Sequence, residues 1–303
     1  MEVNKKRLII VQGPTASGKT KLSIDLARHF STEIISSDSK QFYKEMIIGT
    51  ARPSLLELSS VNHHFIGSHS IKKEFNTSDF AKEARTLCDD LFKKNNFLVL
   101  VGGSGMYIDA LTYGLDDTVS DATIRESLIK TLANEGLEVL VEELRIKDPL
   151  YFSTADIKNP VRVIRALEVI RATNKTFSSL RKGFKNDFPY EVIRFSINWK
   201  REDLYDKINF RVDEMIENGL IEEVRNLYGF RKLNTLKTVG YTEIFDFLDA
   251  KCTLTEAIEK IKQHSRNYAK RQSTWLKRYS DMNFLNPYSN EDLLTQAINK
   301  LSN

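Results

Sequence analysis

The clearest chemical purpose in the chain belongs to eight consecutive residues, GPTASGKT at positions 13–20, which fit G-x-x-x-x-G-K-[ST] at every fixed position. Gly13 and Gly18 let the backbone wrap an anion with its N–H groups. Lys19 brings a point charge to a terminal phosphate, and the Thr20 hydroxyl can ligate Mg²⁺. Pro14, Thr15, Ala16 and Ser17 complete a candidate diphosphate-binding loop. Such a loop certifies a diphosphate-bearing ligand; it certifies neither a nucleoside triphosphate nor hydrolysis.

Asp38 ends a short apolar run, where a carboxylate can hold magnesium-bound water, act as a general base, or cap the segment that follows. Gly102, Gly103, Ser104 and Gly105 follow another such run. Residues this small would let a ligand approach the backbone, with a hydroxyl at Ser104, although turn formation alone would also account for the glycines. A typical NTPase would end that run in an acid for Mg²⁺, so Asp38 is the strand-end acid that remains. Loop and Asp38 together favour the phosphate chemistry of a P-loop kinase.

Positive charge is concentrated in two places. Residues 260–280 hold seven Lys/Arg and no acid, and residues 158–182 hold seven Lys/Arg and one acid, Glu168. Against a net charge of +4 these stretches carry +7 and +6, leaving −9 for the rest of the chain. A polyanion-binding surface has this form, as does many a solvated helix. On a helical wheel Arg266, Lys270, Arg271, Lys277 and Arg278 share a broad face with no acid at i+4. Ile261, Tyr268, Trp275, Leu276 and Tyr279 gather elsewhere and read as core anchors rather than platforms for nucleobases. Arg162 and Arg165 stand one turn apart in NPVRVIRALEV, while Val163, Ala166, Leu167 and Ile170 can pack the other way. Arg211 sits among acids and reads as a salt-bridge partner of Asp213 or Glu214. His63, His64 and His69 lack carboxylates at ligand spacing and read as loop residues; no metal site other than Thr20 is expected.

These residues need elements to position them. RLIIVQ (Arg7–Gln12), EIISS (33–37) and FLVLV (97–101) read as strands, KLSIDLARHF as the helix opened by the loop, and residues 78–94 as a helix capped by Thr77 or Ser78. Apolar strands alternating with helices predict a parallel sheet flanked by helices. The loop, Asp38 and Ser104 then all fall beyond the carboxyl ends of strands, where open α/β sheets bind ligands. Residues 123–147 and Pro160–Thr173 read as helices with no strand between them, EVIRFSINW (191–199) returns to the sheet, and 201–228, 239–248 and 254–279 are again helical. The fold class is α/β, a P-loop NTPase-like parallel-sheet core of residues 1–114 and 191–303 interrupted by a mainly helical insertion, 115–190.

Composition sets the outer bounds. With 303 residues, 41% hydrophobic and 28% charged, the chain is neither a disulfide miniprotein nor a charge-rich disordered polymer. Cys88 and Cys252 form no C-x-x-C, which argues against a cysteine zinc site or disulfide framework. No apolar run approaches the roughly 18 residues of a membrane span. The start MEVNKKRLIIVQGP meets the glycine loop too soon for a signal peptide, so a cytoplasmic monomer is expected.

GPTASGKT, SSDSKQFYKEM with IGTARP, VGGSGMYIDAL, NPVRVIRALEV, RVDEMIENGLIEEV, TVGYTE and AKRQSTWLKR, in that order, resemble the isopentenyl-tRNA transferase (tRNA dimethylallyltransferase) family from residue 7 to about 280. The resemblance implies transfer of a dimethylallyl group from dimethylallyl diphosphate to N6 of adenosine 37 in the anticodon stem-loop of tRNAs reading codons that begin with U. It also implies Mg²⁺, release of diphosphate, and a channel entered by the base from one side and the diphosphate from the other. Matched residue by residue, Asp38 would contact the adenine amine as general base, Thr20 would bind magnesium, and Arg211 would stabilise the departing diphosphate alongside Lys19. Ser104 stands where the family usually has threonine. The tRNA-contacting segments would be Asp38, Ser39, Lys40 and Gln41; Val161, Arg162, Val163, Ile164 and Arg165; and Lys237, Thr238, Val239, Gly240, Tyr241 and Thr242, with Ser104. Glu45 and Ile47 depart from the family pattern, and the missing zinc-finger extension suggests the bacterial type. A P-loop kinase of a nucleotide or small metabolite is the alternative, and a non-catalytic RNA-binding P-loop protein a third reading.

Overall fold

The computed structural model describes residues 5–116, 118–181 and 188–302, in two compact units: Met1–Thr112 with Phe188–Asn303, and Tyr113–Asp187. Lys182, counted above in a basic stretch, lies outside the described residues.

In the first unit, β-branched apolar runs become the inner strands β1 (Arg7–Gln12), β2 (Ile34–Ser36), β4 (Phe97–Gly102) and β5 (Glu191–Ile197), with β3 (His63–His64) and β6 (Met282–Leu285) at the edges. All pairings are parallel, in the order β3-β2-β4-β1-β5-β6. Leu8, Ile10, Leu98 and Leu100 pack one face with Phe42, Phe80 and Phe92; Ile9, Val11, Ile34 and Val99 pack the other with Leu22 and Leu26. Strands apolar on both faces are what a helix-covered parallel sheet requires. The helices of this unit are α1 (Lys19–His29), α2 (Leu55–Ser60), α3 (Thr77–Leu91) and α4 (Gly105–Tyr113) before the insertion. After it come α10 (Arg201–Glu217), α11 (Leu220–Asn226), α12 (Tyr241–Leu248), α13 (Leu254–Leu276) and α14 (Leu293–Ser302).

The second unit is helical: α5 (Ala122–Glu135), α6 (Leu137–Lys147), α7 (Pro149–Thr154), α8 (Pro160–Thr173) and α9 (Phe177–Leu180) around a core of Leu128, Leu140, Leu144, Val163, Ile164 and Leu167.

Several expectations change. The single helix 123–147 is two, because Gly136 at φ 91° breaks it, and 201–228 is broken at Gly219, φ 96°. The cap of α3 is Asn76 rather than Thr77 or Ser78: its side chain accepts from Ser78 and Asp79 N–H while Asp79 reaches back to the Asn76 N–H. His63 and His64 lie in an edge strand rather than a loop. The edge elements β6 and α14 went unrecognised, since MNFL carries little alternation. Among the described residues no helix is long and apolar enough to cross a membrane.

Candidate active site

β1 delivers the phosphate loop to the carboxyl edge of the sheet, where Gln12 pairs with Gly102 at the end of β4. Ala16 (φ 62°) and Gly18 (φ 89°) adopt left-handed conformations, the local geometry that turns successive N–H groups into an anion nest ahead of the α1 N-terminus. Lys19 Nζ folds back onto the Pro14 carbonyl at 2.6 Å. Burial, then the nearby Arg211 guanidinium, lower its pKa to about 7, with Asp38 opposing them. Burial likewise lowers Arg211, against the pull of Glu214, Glu57 and Asp38.

Arg211 does not form the expected salt bridge with Asp213, which instead pairs with Lys262 at 2.8 Å. Its guanidinium turns toward the loop, with Nη1 3.5 Å from Thr15 Oγ1. Glu214 acts on it electrostatically from the next helical turn.

Asp38 follows β2, and its Oδ1 accepts the Lys40 N–H at 3.0 Å, so it is a turn aspartate and a site residue at once. The Ser104 hydroxyl donates to Ser39 Oγ at 3.2 Å and accepts the Ser39 N–H at 3.3 Å, tying the β2 and β4 loops together. Gly102 and Gly103 line the cavity of the site, and a Cβ at Gly102, Gly103 or Gly105 would collide with Ser37, Gln272 or Trp275 respectively. Close approach of protein side chains explains them.

A cavity of about 290 Å³ joins these parts, lined by Thr15, Lys19, Thr20 and Arg211 together with Asp38, Ser39, Lys40 and Gln41. Ile208, Val212, Met215, Val239 and Ile261 give it an apolar wall. Thr238 and Gly240 also line it, but Tyr241 is fully buried, and its hydroxyl donates to Glu223 at 2.6 Å. The same Glu223 carboxylate accepts the N–H groups of Ile47, Ile48 and Gly49 at 2.7–3.0 Å, bolting the IGT loop to the TVGY loop. Glu45 accepts from Ser70 Oγ and the Ile71 N–H, so its departure from the family pattern supports the chain locally.

Sequence reasoning missed three contributors. Tyr268, read as a core anchor, lines the cavity instead, and burial pushes its phenol up to about 12. Gln272 accepts the Thr15 N–H and donates to the Gly103 carbonyl, both at 2.9 Å. Trp199 Nε1 donates to the Ser17 carbonyl at 2.9 Å. Of the three, Gln272 had left a signal, a polar residue at about 240° on the wheel counted from Arg266, inside the apolar sector.

The cationic stretches are less free than their charge suggested. In the helical unit Arg165 pairs with buried Glu168 at 3.1 Å and donates to the Val119 carbonyl, and Arg171 chelates Glu143. Val163 and Ile164 are core residues there, while Val161 and Arg162 face solvent, Arg162 3.7 Å from Asp156. On α13, Lys262 pairs with Asp213 at 2.8 Å, and of the basic face Arg278 reaches the Asp109 carboxylate at 3.7 Å, a partner distant in sequence rather than at i+4.

An all-parallel sheet with a phosphate loop after the inner strand β1 and a carboxylate after β2, two places along the sheet with β4 between them, defines a P-loop phosphate-binding protein. Within that class the chain belongs to the IPP transferase family, whose model matches residues 41–279. It is 50% identical over 272 residues to a tRNA dimethylallyltransferase of Christiangramia forsetii, covering 89% of this chain and 90% of that one. It is 43% identical over 291 residues to tRNA dimethylallyltransferase 1 of Bacteroides fragilis, with 96% and 97% covered. Among solved structures it resembles the tRNA isopentenylpyrophosphate transferase of Bacillus halodurans (TM-score 0.73, 34% identity, 98% and 96% covered). It also resembles a eukaryotic dimethylallyltransferase acting on tRNA (TM-score 0.81, 26% identity, 98% of this chain and 77% of that one).

Proposed function

We propose that the chain transfers a dimethylallyl group from dimethylallyl diphosphate to N6 of adenosine 37 in tRNAs reading codons that begin with U, releasing diphosphate, in the cytoplasm. The observation that carries this reading is a single cavity that meets the phosphate loop at Thr15, Lys19 and Thr20 and brings together two half-buried cations, an apolar wall and a carboxylate. The prenyl donor has a diphosphate and an apolar tail, and the acceptor is an amine that must lose a proton.

An allylic C–O bond ionises readily because its cation is delocalised, so the first demand is to neutralise charge growing on the leaving diphosphate. Lys19, Arg211 and the loop N–H groups are placed to do that in a site largely screened from water. The adenine N6 then bonds to the allylic carbon, and its acidified proton passes to the Asp38 carboxylate. The target base must leave the anticodon stack to reach this carboxylate. Mg²⁺ fits the residues present, because Thr20 lines the cavity with a hard oxygen and this ion takes few protein ligands beside substrate phosphates. When bound it would offset charge on the diphosphate.

Incubation with tRNA, Mg²⁺ and labelled dimethylallyl diphosphate tests the reading. Label should appear on the RNA, and a transcript with guanosine at position 37 should take none. ATP-dependent phosphorylation of a metabolite, with no label on RNA, would establish the kinase alternative instead.

A further inference from the structure

We propose that Gln272 sets the preference of the phosphate loop for two phosphate groups over three, by occupying the Thr15 N–H that a third phosphate would require. The inference rests on the reading of the site as one for an allylic diphosphate and extends it to how this loop discriminates against nucleoside triphosphates.

In a loop of this kind the lysine reaches the terminal phosphates while backbone N–H groups cradle the inner ones. Lys19 Nζ rests on the Pro14 carbonyl at 2.6 Å, which marks the Pro14–Thr15 end as the terminal one. That end has been stripped of backbone donors. Proline has no N–H to offer. The Thr15 N–H points instead at Gln272 Oε1, 2.9 Å away.

The amide of Gln272 cannot easily turn aside. Its Nε2 donates to the Gly103 carbonyl at 2.9 Å, it is 7% exposed, and glycine at 103 is what leaves it room. From Ala16 onward, through the left-handed Ala16 and Gly18, the nest remains open to an anion of two phosphates. A third phosphate would meet at this end only side chains, and to gain a backbone donor it would have to displace a buried hydrogen bond. Gln272 is thus a positioning residue, acting on substrate choice through Thr15.

Isothermal titration with inorganic diphosphate and with tripolyphosphate, each with Mg²⁺, tests this on the wild type, Gln272→Met and Gln272→Glu. The wild type should bind diphosphate more tightly. Gln272→Met, similar in length and free of a strong acceptor, should narrow the ratio about tenfold by gaining affinity for tripolyphosphate, as expected for one hydrogen bond to a charged oxygen. Gln272→Glu keeps an acceptor for the Thr15 N–H but replaces the donor to the Gly103 carbonyl with a negative charge, so it should disfavour tripolyphosphate at least as strongly as the wild type does. An unchanged ratio in Gln272→Met, or a narrowed one in Gln272→Glu, overturns the proposal. If tRNA is prenylated yet the ratio does not move, this inference alone falls. If the ratio moves yet no RNA is labelled, the prenyl-transfer reading falls and the assignment of Gln272 stands.

Discussion

Lys19 and Arg211 are two cations held in the same buried space, and each is pushed toward neutrality by that burial. A site so arranged is strained until negative charge arrives. Lys19→Met should therefore raise the melting temperature of the ligand-free protein while abolishing diphosphate binding. The lysine is charged in the unfolded chain up to its ordinary value of 10.5 but loses its proton near 7 in the folded protein. Its burden is full at pH 7 and below and fades as pH rises toward 10, so calorimetry across that range should show the advantage of the variant shrinking. Asp38→Asn should lower kcat for prenyl transfer by about 10²–10⁴-fold, the usual contribution of a positioned base, with tRNA affinity by filter binding kept within a few-fold. Residues such as these were legible because the phosphate loop and Asp38 each speak through local sequence. Gln272 and Glu223 were not, because their meaning lies in partners 257 and about 175 positions away.

At the level of elements, apolar periodicity located the inner strands and most helices, and it also carried the breaks as changes of phase. Counted at 100° per residue, Leu140 and Leu144 of α6 fall on the side of the wheel opposite Leu128 of α5, and Leu220 and Val224 of α11 fall well away from Leu204, Ile208 and Val212 of α10, the second change coming at the left-handed Gly219. There an added Cβ has space, its nearest neighbour being Ile48 Cδ1 at 3.9 Å. Gly219→Ala should thus cost about 1–2 kcal/mol in urea melts, the backbone term alone, and leave the site geometry intact. The helical unit has a different vulnerability in Glu168. Burial would push this carboxyl up, but Ser120, the Asp121 N–H, Arg165 and Arg125 outweigh it and hold it below the ordinary glutamate range. Its stabilisation is complete above an unfolded value of about 4.3 and is lost as pH falls through the folded one. Glu168→Gln should lose roughly 3 kcal/mol at pH 7, and the difference from wild type should close under acid.

For the whole molecule, the modest charge of +4 conceals cations in very different states. Arg165 is committed to Glu168, whereas the Arg162–Asp156 pair is open to water and contributes little. The two arginines, one turn apart and alike in sequence, should therefore respond differently. Arg162→Glu should weaken tRNA binding and reduce the slope of log affinity against log salt by about one. Arg165→Gln should appear first as lost stability in a thermal melt. No composition argument separates them, because the distinction lies in which carboxylate each arginine reaches.

The strand order also has a consequence in time. β1 is an inner strand, yet its neighbour β5 comes after the entire helical unit, with Arg7 paired to Glu191. A chain made from its N-terminus thus completes helices α5–α9, which share a core of their own, while β1 still lacks β5, one of the two strands beside it. On the ribosome the insertion should become protease-resistant first, and the capacity to bind diphosphate should appear only once β5 and α10, with Arg211, have left the exit tunnel.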